Sequence, residues 1–96
     1  MFGKRINPNA LPVPPAAEAN PRAVELLRVW AAPGQPQQLV LKPTWNDAAA
    51  WGLLLVDVAR HAADAYAREG QDRALVLARI KAGFDAEWTD PSDVAR

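Results

Sequence analysis

Residues 45–69, WNDAAAWGLLLVDVARHAADAYARE, divide their apolar and charged side chains between two sides of a helix. Apolar residues recur at spacings of three and four, which places them on one stripe: Ala48, Trp51, Leu55, Val58, Ala62 and Ala65. The opposite face carries polar residues: Asp57, Arg60, His61, Asp64 and Arg68. We therefore predict a long amphipathic helix that is capped by Thr44 or Asn46 and ended by Gly70.

A second helix is predicted from about Asp72 to just before Thr89. Its apolar stripe is formed by Leu77, Ile80, Phe84 and Trp88. Because only a short turn at Gly70 separates the two helices, we expect them to pack antiparallel.

The segment before the long helix has the alternating pattern of a β-hairpin. Over residues 25–32, Leu27, Val29 and Ala31 alternate with Leu26, Arg28 and Trp30. The same alternation recurs over residues 37–42, and the turn-forming run Pro33–Pro36 lies between the two stretches. One turn of helix is predicted at residues 21–24, and a single helix over residues 21–32 is the alternative. The resulting fold class is α+β: an N-terminal extended arm, a β-hairpin, then two antiparallel helices packed on it.

The N-terminal segment is rich in proline, with five of the nine prolines in residues 1–22. Proline fixes φ and lacks a backbone donor, so residues 1–19 are predicted to be an extended arm. Leu11 and Val13 would then pack on the domain itself, although Pro12 and Pro15 also have the PxxP spacing of a ligand for proline-reading modules. Residues 20–90 are interpreted as a single α+β domain and residues 91–96 as a frayed tail.

Several of these stretches together resemble a bacterial family of short proteins, the domain of unknown function 5076. The resemblance rests on LPVPPAA at 11–17, ELLRVW at 25–30, Trp45 followed by AAWGLLLVDVARH at 49–61, and GFDAEW at 83–88. It implies a compact α+β domain. It brings no reaction, cofactor or catalytic residue to transfer.

The amino-acid composition argues against several classes of function. Eleven basic and eleven acidic side chains cancel, so no strong field attracts nucleic acid or an anionic membrane. The absence of cysteine excludes disulfides and thiol chemistry. No signal-like apolar run follows Lys4 and Arg5, and the longest apolar run is too short to cross a bilayer, so we expect a cytoplasmic protein.

One candidate polar site surrounds His61, the only histidine, with Asp57 four residues before it and Asp64 three residues after it. His61 could act as a general base held by a carboxylate, with Arg60 or Arg68 binding an anion. The alternative is a solvated helix face with ordinary charge pairing. No zinc-ligand spacing, calcium loop or phosphate-binding glycine run is present, and no metal or cofactor is predicted.

The four tryptophans suggest a second candidate surface. Trp51 and Trp88 are expected in the core, and Trp45 is expected to pack back on the long helix. Gly52 and Gly83 are expected to face close packing. Trp30 would lie on the outer face of the hairpin beside Leu26 and Arg28, and an exposed tryptophan there would indicate a partner surface. The alternative, which is slightly preferred, places Trp30 in the core.

Two functions therefore remain open. The first is a non-catalytic protein-interaction or self-association module, with a homodimer formed through the hairpin edge or docking of a protein partner. The second is a small-molecule-binding or minor enzymatic domain that uses His61 and the tryptophans.

Overall fold

The computed structural model describes residues 7–92, and the predictions for residues 1–6 and 93–96 lie outside this range. Five elements follow one another along the chain: α1 at Pro15–Glu18, β1 at Leu27–Trp30, β2 at Gln38–Leu41, α2 at Ala49–Arg68 and α3 at Arg73–Thr89. The predicted α+β class is confirmed, with a two-stranded antiparallel hairpin followed by two long helices that pack together.

The arm, predicted to be extended over residues 1–19, contains one helical turn at Pro15–Glu18, where proline at the first helical position supports helix initiation. The helical turn predicted at residues 21–24, at the start of the domain, does not form. Residues 20–23 instead form a turn in which the Asn20 side chain accepts a hydrogen bond from Arg22 N at 2.9 Å. Leu11 is 86% exposed, so the predicted packing of its side chain on the domain is wrong.

The hairpin forms where it was predicted, but its strands are shorter, and the alternative helix over residues 21–32 is excluded. Leu27 pairs with Leu41 and Trp30 with Gln38, and Gly34 has a φ of +73° in the connecting turn. Glycine suits that left-handed conformation because it carries no Cβ.

Alternation along the paired strands gives the hairpin two unlike faces. One face carries only aliphatic side chains, and we call it the apolar hairpin face: Leu27, Val29, Leu39 and Leu41. The other face mixes polar and apolar side chains: Arg28, Trp30, Gln38 and Val40.

Helix α2 begins four residues later than the predicted stretch. Neither Thr44 nor Asn46 caps it. The Asp47 carboxylate accepts a hydrogen bond from Ala49 N at 2.9 Å, next to the N-cap residue Ala48. Thr44 has a φ of 68° and its hydroxyl donates to Lys42 O at 2.8 Å, so it belongs to the bend between the hairpin and α2.

The turn between α2 and α3 follows its prediction closely. Gly70 has a φ of +99°, as expected for a helix-ending glycine. Asp72 caps α3 by accepting a hydrogen bond from Leu75 N at 3.0 Å. Asp64 of α2 and Arg73 of α3 form an ion pair that joins the two helices just beyond the turn.

The hairpin meets the helices at a junction rather than along its strands. Among residues 7–92, Cα atoms of α2 come within 8 Å of those of α3, and Cα atoms of β1 come within 8 Å of those of β2, but no strand Cα comes that close to a helix Cα. The carbonyl oxygen of Pro43 accepts hydrogen bonds from Trp51 Nε1 at 2.8 Å and from Trp45 N at 2.7 Å. The expected packing of the helices on the hairpin is therefore met only at this junction.

Very little of the chain is withdrawn from solvent. Among the described residues only Ala63, in α2, is buried. The radius of gyration is 15.9 Å, whereas a compact chain of this length would have about 12–13 Å. A chain with so many apolar side chains has therefore left most of them at its surface.

Candidate interaction surface

Three of the four residues of the apolar hairpin face are exposed, and Leu27 is half-buried. Val29 is 50% exposed, Leu39 57% and Leu41 55%. Apolar surface of this kind is stabilised when it is removed from water, at about 25 cal/mol per Å². A contiguous aliphatic face with no cover is a feature that monomeric proteins usually hide.

A second apolar surface lies between the helices. We call it the helix groove, an open depression of about 1210 Å³ along α2 and α3. Its walls are mostly apolar and include Trp51, Leu55, Val56, Leu77, Phe84 and Trp88. Arg60, Arg73, Lys81 and Asp85 border it, so the groove has an apolar floor and a charged rim.

The tryptophans divide between the junction and the groove. Trp45 and Trp51 meet edge to face with ring centroids 5.9 Å apart, as expected for Trp45. The expectation that Trp88 is a core residue is wrong within this chain, because Trp88 is 74% exposed. It stacks on Phe84 with centroids 5.5 Å apart, which leaves an aromatic pair at one end of the groove.

The two helical glycines also differ from expectation. A Cβ added at Gly52 or at Gly83 would meet no atom within 4 Å, so neither residue is required for close packing inside this chain. Gly52 lines the helix groove. The space beside it is thus open to whatever occupies the groove.

The residues of the predicted polar site do not form an enclosed site. His61 is exposed, and its Nδ1 lies 2.8 Å from the backbone oxygen of Asp57. The Asp64 carboxylate is held by Arg73, and this hydrogen bond is the main reason that the pKa of Asp64 is lowered from 3.8. None of these three polar residues lines the helix groove or the shallower depression beside the α2–α3 turn.

The predicted surface of Leu26, Arg28 and Trp30 lies on the mixed hairpin face. All three residues are half-buried. Arg28 donates two hydrogen bonds to the Glu25 carboxylate, from Nη2 at 2.6 Å and from Nε at 3.2 Å, so this guanidinium is already paired. The larger unpartnered surface is on the other side of the hairpin.

Residues 7–92 contain neither a metal-binding cluster nor a membrane-spanning helix. No three carboxylate or imidazole side chains converge there in a way that would hold a metal ion. None of the helices in the same range is long and apolar enough to cross a bilayer.

The comparisons with known proteins give the family. Residues 10–92 match the domain of unknown function DUF5076. The chain belongs to this family. A solved structure from the photosynthetic bacterium Rhodopseudomonas palustrus CGA009 is similar to this DUF5076 domain, with 39% sequence identity and a TM-score of 0.73. The similarity covers 96% of this chain and 95% of the other, which carries the provisional name of a pyruvate dehydrogenase. No curated protein matches the chain.

The sequence pattern identified the hairpin, and the predicted surface around Trp30 stays a prediction. The signal for the apolar hairpin face is also present in the sequence, in the alternation of Leu27 and Val29 and of Leu39 and Leu41. No sequence pattern indicates that the helix groove is exposed, because an apolar stripe has the same spacing whether its partner lies in the same chain or in another.

Proposed function

We propose that this DUF5076 domain is a non-catalytic self-association module that forms a homodimer through the edge of its hairpin. The observation that carries the proposal is the exposure of its apolar surface, because Ala63 alone reaches the buried class among residues 7–92. Isolated two-stranded hairpins are marginal in water, and joining two of them gives a four-stranded sheet.

Strand β2 is the edge that supports pairing best. Each of its four residues is exposed, whereas β1 is half-buried at three of its four positions. An exposed edge presents free N–H and C=O groups to another strand. Pairing of β2 with β2 of a second copy about a two-fold axis would place the strands in the order β1-β2-β2-β1.

The hydrogen-bond ladder indicates which backbone groups are free for this pairing. Lys42 N donates to Leu26 O at 2.9 Å, and hydrogen-bonded pairs alternate with non-bonded pairs along an antiparallel ladder. The pairs Arg28–Val40 and Trp30–Gln38 therefore belong to the bonded set. By the same alternation, the N–H and C=O groups of Leu39 and Leu41 point away from β1.

Light scattering after size-exclusion chromatography tests the proposal. The expected mass is twice the 10.4 kDa of one chain. Leu39→Pro removes one outward donor without removing a hydrogen bond of the hairpin, so it is expected to give a monomer. Leu39→Val, which is of similar size and keeps the donor, is the matched control and should remain dimeric.

Two outcomes would count against this function. A mass of 10.4 kDa for the unaltered chain at every concentration would exclude self-association. A Leu39→Pro variant that keeps its helical circular dichroism and stays dimeric would exclude the β2 edge, and Leu41→Pro repeats the test at the second outward position.

A small-molecule site near His61 has less support. His61 and Asp57 lie on an exposed helix face, and Asp64 is engaged with Arg73. The tryptophans Trp51 and Trp88 line the groove, on a different face of the helices. Pyruvate dehydrogenase is the provisional name of the similar protein, and no cluster of residues within 7–92 gives a separate reason to carry that activity over.

A further inference from the structure

The area that the chain leaves exposed is too large for strand pairing alone to cover. The accessible surface is 8573 Å², whereas a compact monomer of this mass would expose about 5,400 Å². The difference is roughly 3,000 Å² for each chain, and a stable interface of standard size buries only about 800 Å² per partner. Pairing of two four-residue strands covers a small part of that excess, so apolar surface remains for a second contact.

The chain has two unpartnered apolar surfaces of matching character. The apolar hairpin face is a short, flat aliphatic ribbon, and the helix groove is an elongated depression with an apolar floor. Both lie on the same chain, yet no strand Cα comes within 8 Å of a helix Cα. The apolar hairpin face could therefore cover a helix groove, and a helix groove could cover the apolar hairpin face.

The junction explains why the hairpin does not cover the groove of its own chain. Trp51 Nε1 holds the Pro43 carbonyl, and Trp45 packs edge to face on Trp51. Thr44, with its φ of 68°, sets the direction of the bend between them. These contacts hold the hairpin away from α2 and α3, which leaves the groove to a different occupant.

From these observations we propose that the helix groove is occupied by the apolar hairpin face of a second copy of the chain. This inference rests on the proposed self-association and adds the surfaces that make it. A two-fold axis makes the exchange reciprocal, so that each hairpin fills the partner's groove and no apolar surface is left unmatched. In this arrangement Leu39 and Leu41 of one copy lie in the groove of the other, which Val56 and Phe84 line.

Cross-linking between two differently tagged chains tests the contact, because the chain has no native cysteine. One chain carries Leu41→Cys on the apolar hairpin face, and a longer tagged chain carries Val56→Cys in the helix groove. The two are mixed, allowed to exchange and treated with a short bismaleimide. We expect an adduct that contains one chain of each length.

The matched control moves the second cysteine to the opposite side of α2. Asp57 is next to Val56 in sequence but faces away from the groove and is exposed. The mixture of Leu41→Cys with Asp57→Cys is expected to lose the mixed adduct while it keeps the same mass by light scattering.

The remaining outcomes separate this inference from the function on which it rests. Dimers in light scattering without the mixed adduct would overturn the inference and leave self-association standing. An intramolecular cross-link in a chain that carries both Leu41→Cys and Val56→Cys would show that the groove is closed by its own hairpin, which also overturns the inference. A monomer in light scattering would overturn both. A dimer that forms no mixed adduct and binds an apolar dye in the groove would assign the groove to a small apolar ligand instead.

Discussion

Asp64 and Arg73 are the two charged side chains that join α2 to α3. Their ion pair spans the short turn, and the Arg73 hydrogen bond lowers the pKa of Asp64 below 3.8. Both side chains are nearly half exposed, so solvent screens the interaction and its contribution to stability is modest. The ion pair should therefore be detected through the pH dependence of stability and not through a large change in the free energy of unfolding.

Lowering the pH should remove this contribution in a defined range. Because the pKa of Asp64 is lower in the folded chain than in the unfolded chain, the stabilisation is complete above about pH 3.8 and is lost as the pH falls through the lowered folded pKa. We expect the urea midpoint of the unaltered chain to fall more steeply there than that of Asp64→Asn. Equal slopes for the two chains across this range would contradict the assignment.

Trp51 gives a second prediction, at the junction. Trp51→Phe keeps an aromatic ring but removes the donor to Pro43 O, so it should lower the free energy of unfolding by about 1 kcal/mol. Trp88→Phe is the control, because Trp88 stacks on Phe84 and has no hydrogen bond recorded among residues 7–92. Urea denaturation of both variants measures the difference, and equal losses would argue against the hydrogen bond.

At the scale of single elements, the start of α3 and the turn before it are determined by local features. Helix α3 starts at a side-chain cap on Asp72, follows a left-handed glycine at Gly70 and contains Gly83 in its interior. Each of these features is local, and each can be altered without touching the groove. Glycine therefore has two distinct roles here, one in turns that need positive φ and one within a helix that does not need it.

Replacing a helical glycine and a turn glycine with alanine should have opposite effects on the free energy of unfolding. Gly83→Ala is expected to raise the free energy of unfolding by about 1 kcal/mol, because alanine favours the helix and its Cβ meets no atom within 4 Å. Gly34→Ala should lower it by about 1–2 kcal/mol, since Gly34 has a φ of +73°. Thermal and urea unfolding test both, and a destabilised Gly83→Ala would indicate that a second copy packs at that position.

At the scale of the whole molecule, residues 7–92 form regular helices and strands but bury few of their apolar side chains. The helices and the hairpin have their backbone hydrogen bonds, but the aliphatic face of one and the groove of the other remain exposed. Hydrophobic burial is the main favourable term in folding, so a separate chain in this conformation has little to offset its lost conformational entropy. Stability should consequently depend on association.

That dependence predicts a melting temperature that changes with protein concentration. For a dimer of this size, a tenfold dilution should lower the melting temperature by about 3–6 °C. Calorimetry over a hundredfold concentration range would measure the change. The Leu39→Pro variant should show a lower melting temperature that does not vary with dilution, and a constant value for the unaltered chain would contradict association.

The order of the elements and their approximate positions could be read from residue patterns. The spacing of apolar residues in α2 and α3, the glycine at residue 70 and the proline-rich turn between the strands are local signals. They act through backbone geometry and helix propensity, which depend on near neighbours in sequence. The predicted caps of α2, Thr44 or Asn46, were wrong, because Asp47 also has a side chain that can accept from a helix N-terminus and it bonds Ala49 N, while Thr44 bonds Lys42 O.

Which apolar surfaces remain uncovered depended on the tertiary structure. Periodicity identifies a stripe that needs a partner, and it assigned Trp88 to a core because most such stripes are covered within their own chain. The bend at Thr44 and the bonds to Pro43 O lie between the hairpin and the helices, and the hairpin leaves the helix groove open. Sequence patterns therefore specified which residues are apolar and where the helices and strands lie. The three-dimensional arrangement decided what those residues face, because contacts between distant segments depend on the angle at a single junction.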